Sequence, residues 1–243
     1  DAMDGMRLAR LADTLQRVAA EPARLKATSI MSQLLEGVLR ETPQELLPCV
    51  ALATMQLEPA SRPLKLGVGE GIVLQALETA TGHPAKELKS ALRTEGDVGE
   101  FTARLLAERP PWAERAASGS VGEEEEEAPL PLRVNEVHAA LLAIAAQSGK
   151  GANGRRAELL ASLLQRASPS EGTLIVRAVR GQLRSGLADK GMRDALAAAA
   201  AAVTEPEPEV VAAAIAAEAA AARAEVARLA EQDAIAAEDA PGE

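Results

Sequence analysis

Aromatic side chains are almost absent: Phe101 and Trp112 stand alone, and there is no tyrosine. With 47% apolar residues over 243 positions, the interior must be built from Ala, Leu and Val. That set suits close helix packing better than a β-sandwich. No segment of useful length alternates apolar and polar residues, so no sheet is expected. Cys49 is the single cysteine, which rules out an intrachain disulfide and fits a reducing compartment. No apolar run reaches about 18 residues, so no membrane span is expected. The first residues have neither the charged start nor the apolar stretch of a signal peptide.

Chemistry-bearing motifs are equally scarce. His83 and His138 are the only histidines. No H-E-x-x-H, cysteine cluster, G-x-S-x-G elbow or Walker A sequence occurs, so no metal site is expected. Gly67-Val68-Gly69-Glu70-Gly71 looks phosphate-cradling, but it lacks the preceding strand of a dinucleotide fold and reads as a helix-entry turn. His83, before Pro84, reads as a surface turn residue, and His138 as a helical packing or surface residue.

What is present is helical signal. Leu8, Leu11, Leu15 and Val18 recur at helical spacing over Met6 to Ala19, as do Ile30, Leu34, Leu35, Val38 and Leu39 over Thr28 to Arg40. Thr42, Pro43 and Glu45 predict a capped helix start, and Ser168, Pro169 and Glu171 another. Gly67, Gly69 and Gly71 precede a helix predicted over Ile72 to Thr81, which Gly82 should close. The predicted fold is all-α.

Two halves resemble one another. Leu64 to Glu70 (LKLGVGE) parallels Leu183 to Asp189 (LRSGLAD), and Leu77 matches Leu196 at the same offset. Ser32-Gln33-Leu34-Leu35 before Pro43 parallels Ser162-Leu163-Leu164 before Pro169. The expected organisation is a helical domain over 1–204, with an internal pseudo-twofold repeat. Its halves span about 7–108 and 133–204, joined by an acidic loop, 109–132. An Ala-rich helix and linker follow over 205–243.

The formal net charge is −10, yet its distribution leaves room for an anionic partner. Glu123 to Glu127 is an unbroken acidic run, and the tail from Glu205 holds ten acids against Arg223 and Arg228. Gly149 to Arg193 instead carries nine basic residues against Glu158, Glu171 and Asp189. A basic face on an acidic chain can still bind phosphates. Basic residues flank the glycine turns: Arg24, Lys26 and Lys65 in the first half, Lys150, Arg155, Arg156, Arg180 and Arg184 in the second. Glycine admits a close approach of backbone to phosphate, and a helix N-terminus offers free N–H groups and a positive dipole end. No aromatics interleave, so duplex backbone contact fits better than stacking on single-stranded bases. Two other readings stay open. The basic residues could simply solvate helix faces, or the Ala/Leu-rich surfaces could form a helical scaffold for protein partners.

The blocks Pro22-Ala23-Arg24-Leu25-Lys26, Thr42-Pro43 with Leu46-Leu47-Pro48, Leu64 to Gly82, Gly96-Asp97-Val98-Gly99-Glu100 and Val179 to Ala188 occur in an order that resembles the DNA-binding domain of eukaryotic DNA ligase I. The resemblance implies an all-α, pseudo-twofold, sequence-independent DNA-binding domain of an ATP-dependent ligase acting in replication, repair and recombination. The implied partners are nicked or intact duplex, met at the minor groove and phosphate backbone, and the ligase's own catalytic domains. A nuclear setting and a monomeric state go with it. It also implies phosphate contacts near Arg24 and around Gly181, Arg184 and Gly186, with Lys65, Gly67 and Gly69 as their symmetric counterpart. Gln182 stands where relatives commonly carry a basic residue, which would weaken one contact. No lysine here lies in a K-x-D-G adenylation motif. The chain is therefore expected to bind no cofactor, to be inactive alone, and to stop before a catalytic domain that uses ATP and Mg2+.

Overall fold

The computed structural model describes residues 5–57, 64–108, 130–181, 187 and 189–204. The chain divides into two units, 1–200 and 201–243, and of the second only 201–204 are described. The acidic run, Trp112, Gln182, Arg184, Gly186 and the Ala-rich tail lie outside the described residues.

Among the described residues the protein is all-helical. Six helices precede residue 109: α1 (Leu8–Ala20), α2 (Arg24–Glu41), α3 (Leu46–Thr54), α4 (Glu70–Thr81), α5 (Ala85–Glu95) and α6 (Val98–Glu108). Four follow residue 130: α7 (Val134–Ala146), α8 (Ala152–Leu164), α9 (Pro169–Val179) and α10 (Asp189–Thr204). A short 3-10 turn, Pro43–Glu45, leads into α3. Most of the predicted apolar positions are buried, although Ile30 and Leu39 are only partly so and Met31 takes an inward place that was not predicted. Leu8, Leu11, Leu15 and Val18 face inward from α1, as do Met31, Leu34, Leu35 and Val38 from α2. Leucine, valine and alanine fill the core around a fully buried Phe101. No described helix is long and apolar enough to cross a membrane.

The two predicted helix starts behave differently. Ser168 forms a full capping box: its Oγ accepts from Glu171 N–H, and the Glu171 carboxylate accepts from Ser168 N–H. Thr42 makes no such side-chain bond. The Glu45 carboxylate is drawn away from that duty. It is buried and accepts from the Met6 N–H and the Asn135 side-chain amide, tying the entry of α1 to α7. The α2 helix begins at Arg24 rather than Thr28, so Arg24 and Lys26 lie in its first turn.

The repeat is legible in three dimensions. The residues just ahead of α1 and α7, Arg7 and Arg133, form an isolated antiparallel bridge. Leu8 N–H donates to Leu132 O at 2.9 Å, and Val134 N–H donates to Met6 O at 3.0 Å. Such a pair is its own local twofold. Around it the packing is reciprocal: α1 lies against α9, and α3 against α7. Helices α4 and α10 start at Glu70 and Asp189, the residues matched by the sequence repeat. Helices α5 and α6 have no counterpart among the described residues of the second half. α6 instead packs along α9, the most extensive helix pair described. Glycines allow that approach. A Cβ on Gly172 would fall 2.4 Å from Leu106 Cδ1, and the Thr173 hydroxyl donates to Gly99 O at 3.0 Å.

Candidate nucleic-acid interface

The turn before α4 shows why its glycines are there. Gly67 has φ +65°, a left-handed conformation that side chains rarely adopt. Gly69 is different: its backbone is extended (φ −86°, ψ 172°), and any residue could hold it. A Cβ at Gly69 or Gly71 would meet nothing within 4 Å. The fold itself asks for no glycine at either place, and both lie where an outside molecule could come close to the backbone. Gly69 O accepts from Ile72 and Val73 N–H at 3.1 and 3.2 Å, so the first turn of α4 opens directly from this loop. The N–H groups at such a start have no intrahelical partner. Lys65, exposed just upstream, has no ion-pair partner.

Gly181 joins this turn in space. It follows α9 with φ +63°, and a Cβ there would also meet nothing within 4 Å. One surface groove is lined by Lys65, Gly67 and Gly69 from the first half and by Arg180 and Gly181 from the second. The glycine turn ahead of α4 and the turn that ends α9 therefore share one groove.

The basic residues divide into three groups. Lys26 and Lys150 are exposed, with no side-chain partner. Arg24 is exposed and lies 3.7 Å from Asp194 of α10, across from the other half. Arg155 and Arg156 spend their guanidinium donors inside the protein. Arg155 donates to Gln147 Oε1 at 2.7 Å, Ser148 O at 2.8 Å and Lys150 O at 3.1 Å. Arg156 donates to Gln147 O at 2.6 Å, Ile144 O at 3.3 Å and Asn153 Oδ1 at 3.0 Å, closing the carbonyl end of α7. Its guanidinium also packs on Gly67, where a Cβ would fall 3.1 Å from Cζ. Arg156 thus supports the Lys65–Gly69 turn from beneath. Sequence reasoning missed this inward role, because Gly154-Arg155-Arg156 carries no sign of which arginine turns in.

Across the halves, Arg156, near the start of α8, abuts the turn ahead of α4, and Arg24, at the start of α2, reaches Asp194 of α10 through one exposed ion pair. Elsewhere the ionic groups look structural. Burial pushes the Asp97 carboxyl up, but the Glu100 N–H, the Arg177 guanidinium and the Gly99 N–H together hold it below the usual carboxylate range. Burial, reinforced by Glu45, pushes the Cys49 thiol up to about 12, which makes it inert. Burial lowers His138. Among the described residues no group of three or more His, Cys, Asp or Glu could hold a metal ion.

Comparison with known proteins agrees with this architecture. A family model described as DNA ligase N terminus matches residues 7–197. A DNA ligase of Pyrobaculum arsenaticum is 38% identical over 170 residues, covering 70% of this chain and 28% of the relative. DNA ligase 2 of Thermofilum pendens is 35% identical over 189 residues, 77% of this chain and 30% of the relative. A DNA ligase of Thermococcus onnurineus is 30% identical over 196 residues, 80% and 32% respectively. The chain thus spans about three tenths of the length of these relatives, all of them archaeal. With a family model covering most of its described helices, the chain belongs to the N-terminal domain family of ATP-dependent DNA ligases.

Proposed function

We propose that this domain grips duplex DNA, including nicked duplex, through its phosphate backbone and largely without regard to sequence. The parent is an ATP-dependent ligase. The observation that carries this reading is the groove shared by the turn ahead of α4 and the turn after α9, with room for close approach at Gly69 and Gly181 and an unpaired Lys65 at its edge. Backbone N–H groups and flanking cations of this kind suit phosphates and carry little base information. Arg24, Lys26 and Lys150 add positive charge, and Arg184 and Gly186 extend the reading on sequence grounds. The arrangement has two similar halves, and the two backbones of a duplex are related in the same way.

Sealing a nick needs adenylation, and no lysine here stands in a K-x-D-G motif. ATP and Mg2+ would therefore serve segments that the longer relatives contain, and this domain would supply grip and orientation. The reading holds for ATP-dependent ligases as a group. The narrower likeness to the eukaryotic replicative enzyme rests on the sequence blocks alone, and with it the nuclear setting and the roles in replication, repair and recombination.

The test is charge reversal. Lys65→Glu combined with Arg24→Glu should cut affinity for a labelled nicked duplex by at least about tenfold, leave helicity unchanged, and reduce the salt slope by about two. Unchanged binding by that variant would remove the site assignment. A second reading, a protein-binding scaffold, draws on three exposed leucines, Leu25, Leu47 and Leu130. It predicts a stable complex or self-association in light scattering and no salt-dependent DNA binding.

A further inference from the structure

Arg180 stands at a junction. It caps the C-terminus of α9, and it lines two neighbouring grooves. The first is the glycine groove already described. The second is lined by Arg180 with Arg93 at the end of α5, Gly96 in the α5–α6 turn, and Glu70 at the start of α4. Packing of α6 along α9 places the α5–α6 turn there. Gly96 has φ +83°, and a Cβ on it would meet nothing within 4 Å, so this turn too leaves its backbone open to approach.

The charges in this second groove are free. Neither Arg180, Arg93 nor Lys65 has an ion-pair or hydrogen-bond partner for its side chain. Most other arginines described are engaged: Arg10 with Glu41, Arg104 with Glu95 and Glu108, Arg166 with Glu136, Arg177 with Asp97. Among the described residues Glu70 is the single acid lining the groove, and it makes no ion pair with either arginine. Placed in the first turn of α4, it favours the positive end of that helix.

We propose that Lys65, Arg180 and Arg93 form one continuous phosphate track. A DNA strand leaving the glycine groove would run on past Arg180 to the Gly96 turn. This rests on the duplex-binding reading above and adds a direction to it. Helices α5 and α6 belong to the first half only, among the described residues, so the track has no symmetric mate there. The domain therefore holds a longer stretch of one strand than of the other. On a nicked duplex that difference sets which side of the break the first half occupies.

The experiment uses the full chain and a labelled nicked duplex, with three proteins: unaltered, Arg93→Ala with Arg180→Ala, and Lys65→Glu with Arg24→Glu. The proposal expects the Arg93/Arg180 variant to bind about tenfold more weakly at moderate salt and to lose about two from the slope of log affinity against log salt. Neutral methylphosphonate linkages walked along each strand should interfere over a longer stretch on one strand. That excess should vanish in the Arg93/Arg180 variant. Normal affinity and slope in that variant, while Lys65→Glu with Arg24→Glu binds weakly, would overturn the track and leave the duplex reading standing. Equal interference on both strands by the unaltered chain would overturn it too. No binding by the unaltered chain at low salt would overturn both. Circular dichroism guards against misfolding, and Arg93→Lys with Arg180→Lys should restore binding because the charges are kept.

Discussion

Arg156 shows how one residue can hold a helix end and a neighbouring turn together. Its guanidinium closes the carbonyl end of α7 and packs beneath Gly67. Arg156→Ala would leave those carbonyls without their charged donor, a loss of about 1.5–3 kcal/mol in stability. Affinity for DNA should fall as well, because the turn loses its support; a thermal melt and a binding titration on the same variant check both. The glycine turn ahead of α4, where Gly67 with its positive φ has a backbone reason to be glycine, was legible in the sequence. The inward turn of Arg156 was not, since orientation depends on where the end of α7 falls in space. His138 gives a second residue-scale prediction. Burial lowers its pKa from 6.5, so the unfolded chain takes up the proton first as pH falls. Stability from neutral His138 is then complete above that value and declines below it. The urea midpoint should drop between about pH 7.5 and about pH 5.5, and the drop should be smaller in His138→Gln. An equal drop in both proteins would remove His138 as its source.

Among the elements, helix starts divide by what their acids are needed for. The motif at Ser168 caps α9 because Glu171 has no competing task. The same pattern at Thr42 gives a 3-10 turn without a side-chain cap, because Glu45 binds Met6 N–H and Asn135. Ser168→Ala should therefore cost about 1 kcal/mol, and Thr42→Ala no more than about 0.5 kcal/mol. Paired denaturant curves decide this, and equal losses would contradict it. Helix positions were readable from periodic leucines, as α1 and α4 show. The service of Glu45 across the twofold junction was not readable, because its partners lie 39 and 90 residues away.

For the molecule as a whole, the Arg7–Arg133 bridge joins the entries of α1 and α7, and the turn ahead of α4 shares a groove with the end of α9. The sequence repeat of LKLGVGE and LRSGLAD was enough to expect two like turns. That the first of them meets the end of α9 depends on which helices cross, and periodicity alone does not specify that. The extra pair α5–α6 breaks the symmetry and was invisible as such in the sequence, since nothing in Ala85 to Glu108 says which half it will flank. The acidic overall charge is likewise no guide to this groove, because the Glu run and the tail together carry more net negative charge than the whole chain does.

The most direct measurement is fluorescence anisotropy of a labelled nicked duplex titrated with this chain at about 50 and about 200 mM salt, where several phosphate contacts predict roughly a 10³-fold loss of affinity. Tight binding at the lower salt with that steep fall, and the same for an unrelated sequence, is the predicted result. Absence of binding at low salt, or binding that ignores salt, would contradict the account.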